Sequence, residues 1–217
     1  EIHQKLELAG INLSNDSSCC VATGYGRISV PYADKTVTEI TCHALGAVHL
    51  FQQPDLTVID IGGQDTKIIQ IEQGFVKDFI MNDKCAAGTG RFLEVMANTL
   101  SLRPNEMFDL ARMGSDTTIS SMCTVFAESE VIGLIGKGEP KENIAYAVVN
   151  STIRKVAAQV SRMNGEMSTF CLTGGLCECE YIREALSKEL GKEVISCPDA
   201  RYAGAIGAAL SAMKIRK

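Results

Sequence analysis

The chain has 217 residues, 46% of them hydrophobic, enough to bury one sizeable core or two small ones. A net charge of −5 and no cluster of Lys and Arg exclude a surface built for nucleic acid or anionic membrane. No apolar run approaches the roughly 20 residues that span a bilayer, and "EIHQKLELAG" lacks the pattern of a signal peptide, so the expected location is cytoplasmic. Nine cysteines, an odd number, in a chain with this much apolar content point to reduced thiols and metal ligands rather than disulfide staples.

In chain order, "SSCCVATGYG" reads as a strand and "VTEITCHALGAVHLF" as a helix. Residues 56–80 alternate β-branched runs with the breaks "GGQD" and "EQG", which predicts a three-stranded meander. A loop with Cys85 follows, then a helix over "RFLEVMANTL" and a short helix after Pro104. "TTISSM" reads as a strand leading to Cys123. A long amphipathic helix is expected from about Glu142 to Met163. Then come "TFCLTGG", the helix "YIREALSKEL", the strand "EVISC" and the small-residue helix "AGAIGAALSAM". A meander followed by αβ units is a mixed α/β architecture.

Three segments carry glycines at turns or helix faces. "VIDIGGQDTK" ends a strand in Asp60 and turns through Gly62, Gly63 and Gln64, a turn that can hold a phosphate while Asp60 or Asp65 organises Mg²⁺ through water; an ordinary hairpin fits equally well. "CLTGG" places Gly174 and Gly175 where backbone can lie against a flat ligand such as adenine, though strand-Gly-Gly is also a common exit from a sheet. "YAGAIGAAL" puts Gly204 and Gly207 among alanines, which allows two helices to cross closely.

Cys85 and Cys123 each precede a helix, where free N–H groups and the dipole favour a thiolate. Neither belongs to a CxxC pair. A tetrahedral site needs about four thiolates, so two per chain suggest one centre shared by two chains; two buried, unligated thiols remain the commoner outcome for such spacing. Cys171, Cys177 and Cys179 have an uncommon ligand spacing and are taken as incidental. His43 and His49 share a helix with no carboxylate read beside them as a partner.

With "ATGYGR", "DKTVTEITCHALGA", "VIDIGGQDTK", "MNDKCAAGTGRFLEVMA", "SSMCTVFAESEVI", "LTGG" and "YAGAIGAAL" in that order, the chain resembles the ATP-dependent activases of 2-hydroxyacyl-CoA dehydratases and the related ATPase subunits of benzoyl-CoA reductases, the BadF/BadG/BcrA/BcrD type. The resemblance implies an actin-like, hexokinase-like (ribonuclease H-like) two-lobed ATPase fold. It implies a homodimer holding one 4Fe–4S cluster on Cys85 and Cys123, and ATP or ADP with Mg²⁺. On this sequence Asp60, Gly62, Gly63 and Gln64 match the second phosphate loop, with Asp60 and Gln64 in catalytic roles, and Gly174 and Gly175 match the adenosine loop. The implied partners are a dehydratase or reductase component and a ferredoxin or flavodoxin donor. Family members open with a first phosphate loop, GIDxGSTxxK, that this chain lacks, so residues 1–55 with 198–217 are expected to be an incomplete first lobe of a fragment, and 56–197 the second lobe. A cluster-free small-molecule kinase of the same fold and a non-hydrolysing dimeric scaffold are the alternative functions.

Overall fold

The computed structural model describes residues 2–12, 18–120, 123–165 and 169–215. The chain begins with α1 (Ile2–Leu8), β1 (Val21–Ala22), β2 (Lys35–Thr36) and α2 (Glu39–Phe51). It continues through β3 (Leu56–Ile61), β4 (Thr66–Glu72), β5 (Phe75–Asn82), α3 (Gly90–Thr99), α4 (Pro104–Ala111), α5 (Thr124–Gly136) and α6 (Lys141–Val160). The last elements are β6 (Thr169–Gly174), α7 (Glu180–Leu190), β7 (Val194–Ile195) and α8 (Ala203–Ile215).

β1 and β2 form a short parallel pair, while the other strands make one sheet in the order β5-β4-β3-β6-β7. The expected meander is its antiparallel half, with Ile61 opposite Thr66 across the "GGQD" turn, and β6 and β7 join β3 in parallel. β3 is buried along its whole length because both faces of the sheet are covered. With side chains alternating across the pleat, Ile59, Ile61, Ile68 and Leu172 face a core with α3, α6 and α7. Leu56, Val58, Ile69, Ile71 and Cys171 face Ala44 and Ala47 of α2. The same alternation sends Asp60, Lys67 and Thr173 toward α2.

α2 and α8 cross at backbone contact. A Cβ on Gly46 would lie 1.9 Å from the Ala203 carbonyl oxygen, and one on Gly207 would lie 1.7 Å from that of Cys42. The small-residue reading of "YAGAIGAAL" therefore holds, and its partner is the glycine-containing helix that carries His43.

Two expected strands differ from the structure. Of "SSCCVATGYG", Ser17 lies outside the described residues and 18–26 yield only Val21–Ala22, because Cys20 N–H donates to the Asp34 carboxylate at 2.7 Å and Gly24 turns the chain with φ +79°. In "TTISSM", residues 117–120 form no strand and 121–122 lie outside the described residues. Ser120 N–H donates to both oxygens of Glu130 at 3.1 Å, and the Thr117 hydroxyl donates to Glu139 at 2.5 Å. Glu130 of α5 thus takes the Ser120 N–H that a neighbouring strand would have paired, and Glu139 between α5 and α6 anchors the Thr117 side chain.

Candidate functional site

β3 and β6 run parallel and end together, and such ends are where ligands bind open α/β sheets. Asp60 stands opposite Lys67 on β4 and opposite Thr173 on β6, so the three side chains form a row across the sheet on the α2 side. α2 adds Glu39 and His43, one turn apart. The Lys67 ammonium lies 2.7 Å from Asp65 Oδ1, 3.0 Å from Glu39 Oε1 and 3.3 Å from Asp60 Oδ2, with its side chain 1% exposed. Burial opposes the charge on Lys67, yet nearby Asp60 and the hydrogen bonds to Asp65 and Glu39 outweigh it and hold the pKa above the ordinary lysine range. Thr173 Oγ1 donates to Asp60 Oδ1 at 2.8 Å, and Tyr25 donates its hydroxyl to Asp65 Oδ2 at 3.1 Å. His43 Nε2 sits 3.8 Å from Asp60 Oδ1.

Asp60 is accordingly more engaged than the sequence suggests, since each of its oxygens already has a protein partner. Contact with a metal through an intervening water stays open to it, because each carboxylate oxygen accepts more than one bond. One lysine facing three carboxylates leaves the cluster with an excess of negative charge.

In both glycine pairs the first residue packs and the second opens. A Cβ on Gly62 would come within 2.8 Å of Asp65 Oδ1; Gly174, at φ +81°, would put one 2.6 Å from the Ile61 carbonyl oxygen and 2.9 Å from Asp60 Oδ1. Gly63 and Gly175 have nothing within 4 Å of that position. Gly63 and Gln64 are exposed at the hairpin tip. Gly175 borders a cleft of about 690 Å³ walled by Asn105 and Phe108 of α4 and by Arg112, whose guanidinium lies 5.4 Å from the Tyr181 ring centre.

The Cys85 loop is tied to this hairpin. Asn82 donates its amide N–H groups to the carbonyls of Cys85 at 2.9 Å and Ala87 at 3.1 Å. Thr66 donates to Gly88 O and Thr89 to Ala86 O, each at 2.6 Å. Cys85 lies five residues ahead of α3, whose N-cap is Thr89, so it does not hold the helix-start position expected for it. The N–H groups of Gly90 and Arg91 instead donate to the carbonyls of Gly62 at 2.9 Å and Gly63 at 2.8 Å. The loop needs those extra residues to let α3 dock on the hairpin. Gly63, Gln64, Cys85 and Arg91 line one cavity of about 560 Å³.

Cys123 does occupy a helix start: it is the N-cap of α5, and its carbonyl accepts from Ala127 N–H at 2.9 Å. Cys85 is half-buried and Cys123 exposed. α5 buries only Ala127 and Val131, while Val125 and Phe126 are each 67% exposed and Ile132 56%. No group of three or more His, Cys, Asp or Glu among the described residues could hold a metal within one chain. Cys171 is enclosed in the sheet, where burial pushes its thiol pKa well up, and burial raises those of Cys177 and Cys179 too.

Solved structures share this arrangement. The (R)-2-hydroxyglutaryl-CoA dehydratase component A of Acidaminococcus fermentans superposes with a TM-score of 0.90 at 44% identity, covering 99% of this chain and 83% of that one. The activator of the 2-hydroxyisocaproyl-CoA dehydratase from Clostridium difficile with bound ADPNP superposes at 0.89 and 36% identity, over 99% and 80%. In sequence, the (R)-2-hydroxyglutaryl-CoA dehydratase activating ATPase of Acidaminococcus fermentans is 47% identical over 204 residues, 92% of this chain and 76% of the relative. The fold is the α/β, actin-like ATPase fold expected from the motifs. The profile of the BadF/BadG/BcrA/BcrD ATPase family matches residues 1–212, and the chain belongs to that family.

The sequence reading missed Lys67, Glu39, His43 and Thr173. Lys67 carried a usable signal: it is a lysine inside the run "TKIIQIE", whose threonine and three isoleucines favour a buried strand, and a buried ammonium must find carboxylates. Glu39 and His43 gave none, because their partners, Lys67 and Asp60, are remote in the chain.

Proposed function

We propose that the chain is an ATP-dependent reductive activase. As a homodimer it would hold one 4Fe–4S cluster, take an electron from a ferredoxin or flavodoxin, and deliver it to a 2-hydroxyacyl-CoA dehydratase or a related reductase component when ATP is bound and hydrolysed. The names of the similar proteins support the activator role, and the ADPNP in one of them supports the nucleotide. The observation that carries the reading is the pair of hydrogen bonds from Gly90 and Arg91 to the carbonyls of Gly62 and Gly63. Through it, any nucleotide-driven movement of the hairpin is passed to α3 and to the loop of Cys85.

Residues 56–197 would form the second lobe, with residues 1–55 and 198–217 on the first-lobe side. The backbone-close crossing of α2 and α8 would join the two segments of that first-lobe side. Gly62, Gly63 and Gln64 would take the phosphates, and Gly174 and Gly175 the adenosine, with Gly175 giving access to the cleft beside α4. The negative excess around Lys67 would draw Mg²⁺ toward Asp60 through water, and Gln64, at the exposed tip, would orient the attacking water. Two nucleotide states that hold the hairpin differently then bias two orientations of α3.

Cys85 and Cys123 would hold the cluster, which when bound supplies one-electron transfer at low potential. The donor set fits: both thiols are reachable from solvent, two per chain match a centre shared by two copies, and the apolar face of α5 beside Cys123 suits burial against a second copy. Anaerobic purification with iron analysis and an absorption spectrum tests the reading. Brown protein with about four irons per dimer is the expected result, and Cys85→Ser or Cys123→Ser should each abolish the colour. An iron-free, colourless dimer after anaerobic reconstitution sinks it.

A further inference from the structure

A second cavity lies away from the nucleotide hairpin. It holds about 240 Å³ between the Cys85 loop, residues 117–120 and α6. Its apolar wall includes Phe92, Ile119 and Ala147, and beside the hydroxyls of Thr117, Ser120 and Ser151, each already hydrogen-bonded, its polar lining has Thr118, Asn150, Arg154 and Lys155. No Asp or Glu among the described residues lines it. The side chains of those four polar residues have no hydrogen-bond or ion-pair partner among the described residues, whereas Arg91, Arg103, Arg112, Arg183 and Arg201 all face carboxylates. Lys155 is fixed at its stem: Gly88 is at φ +87°, and a Cβ there would approach the Lys155 Cγ to 2.8 Å. Lys155 therefore lines the cavity with no carboxylate partner among the described residues.

Two cations with two neutral polar groups, facing a short apolar wall with no competing carboxylate, match one kind of ligand. We infer that this cavity is a binding site for a small monocarboxylate with a short aliphatic body, its carboxylate on Arg154 and Lys155 and its carbons against Phe92 and Ala147. The volume is below the roughly 300–1,000 Å³ of sites for drug-sized ligands, which confines the class to small acids. An occupant touches both Ala87–Gly88 and residues 117–120, the segments leading from Cys85 and into Cys123, so binding would stiffen the two cysteine-bearing segments together. The site is separate from the proposed activase chemistry and stands or falls without it.

Calorimetric titration of the full chain with butyrate tests the inference, with 1-butanol and inorganic phosphate as parallel arms. Saturable butyrate binding with a Kd of about 1 mM or tighter is expected, since charge-assisted bonds supply most of the affinity of so small a ligand. Butanol and phosphate should bind at least about tenfold more weakly. Lys155→Met with Arg154→Gln should lower butyrate affinity at least about tenfold with the unliganded unfolding midpoint unchanged, and the isosteric Asn150→Asp should abolish binding by repulsion. Butyrate should also slow amide exchange at residues 85–88 and 117–120. The site is refuted by no saturable butyrate binding, by binding that the variants leave unchanged, by equal binding of butanol or phosphate, or by direct competition with ADP. Iron content and ATP binding are read separately, so either result leaves the activase test untouched.

Discussion

The Lys67 cluster and the α5 surface satisfy their chemistry in opposite ways. Around Lys67, α2, β3, the turn at Asp65 and β4 bring three carboxylates to one buried cation, with Thr173 of β6 and His43 against Asp60, all within a single chain. Around Cys123, an N-cap thiol and two-thirds-exposed Val125 and Phe126 lie on a helix that buries two residues. The contrast separates what the chain stabilises by itself from what it leaves exposed. Large exposed apolar faces mark interaction surfaces, while buried charges persist only when paired.

Breaking the first region should have the largest effect. Lys67→Met strands Asp60, Asp65 and Glu39 without their cation and should cost about 3–5 kcal/mol in denaturant unfolding. Little change would show that the carboxylates rehydrate or take up protons freely. Gly207→Ala places a methyl group where the Cys42 carbonyl oxygen stands and should cost about 1–3 kcal/mol, read as a lowered Tm. Asn82→Ala removes the donor shared by the Cys85 and Ala87 carbonyls, a loss of about 1 kcal/mol that should speed amide exchange in residues 83–89 more than elsewhere.

Alkaline titration sharpens the same comparison. Lys67 and Cys171 both hold protons more tightly folded than unfolded. Their stabilisation is complete below the unfolded values, about 8.5 for Cys and 10.4 for Lys, and is lost as pH rises through each folded value. Unfolding free energy should therefore fall from about pH 8.5 upward, and Cys171→Val should flatten the first part of that fall. The smallest effect on the protomer is expected on α5, where Phe126→Asp should change monomer stability by within about 0.5 kcal/mol. If α5 is covered by a second copy, the same variant should shift sedimentation toward monomer.

The meander and the helices from α2 onward were legible because each is written in local periodicity: β-branched runs between glycine turns, and apolar residues at helical spacing. Two segments were not. "SSCCVATGYG" and "TTISSM" have strand-like composition, but Asp34 and Glu130 take the backbone N–H groups of Cys20 and Ser120, and nothing local records where those carboxylates will be. The site was legible to the same extent. Gly62, Gly63, Gly174 and Gly175 stand at turns that sequence alone locates, whereas Glu39 and His43 become part of it only when α2 packs across the ends of β3 and β4.

By itself the sequence determined the meander and the helices from α2 onward, the family and the two candidate cysteines, because motif spacing and hydrophobic period are properties of neighbouring residues. Only the tertiary structure decided that Asp60 is held by Lys67 and Thr173, that α3 hangs from the carbonyls of Gly62 and Gly63, and that Cys85 stands apart from a helix start. Those facts depend on which strands pair and which helices cross, and both follow from burial of the whole chain.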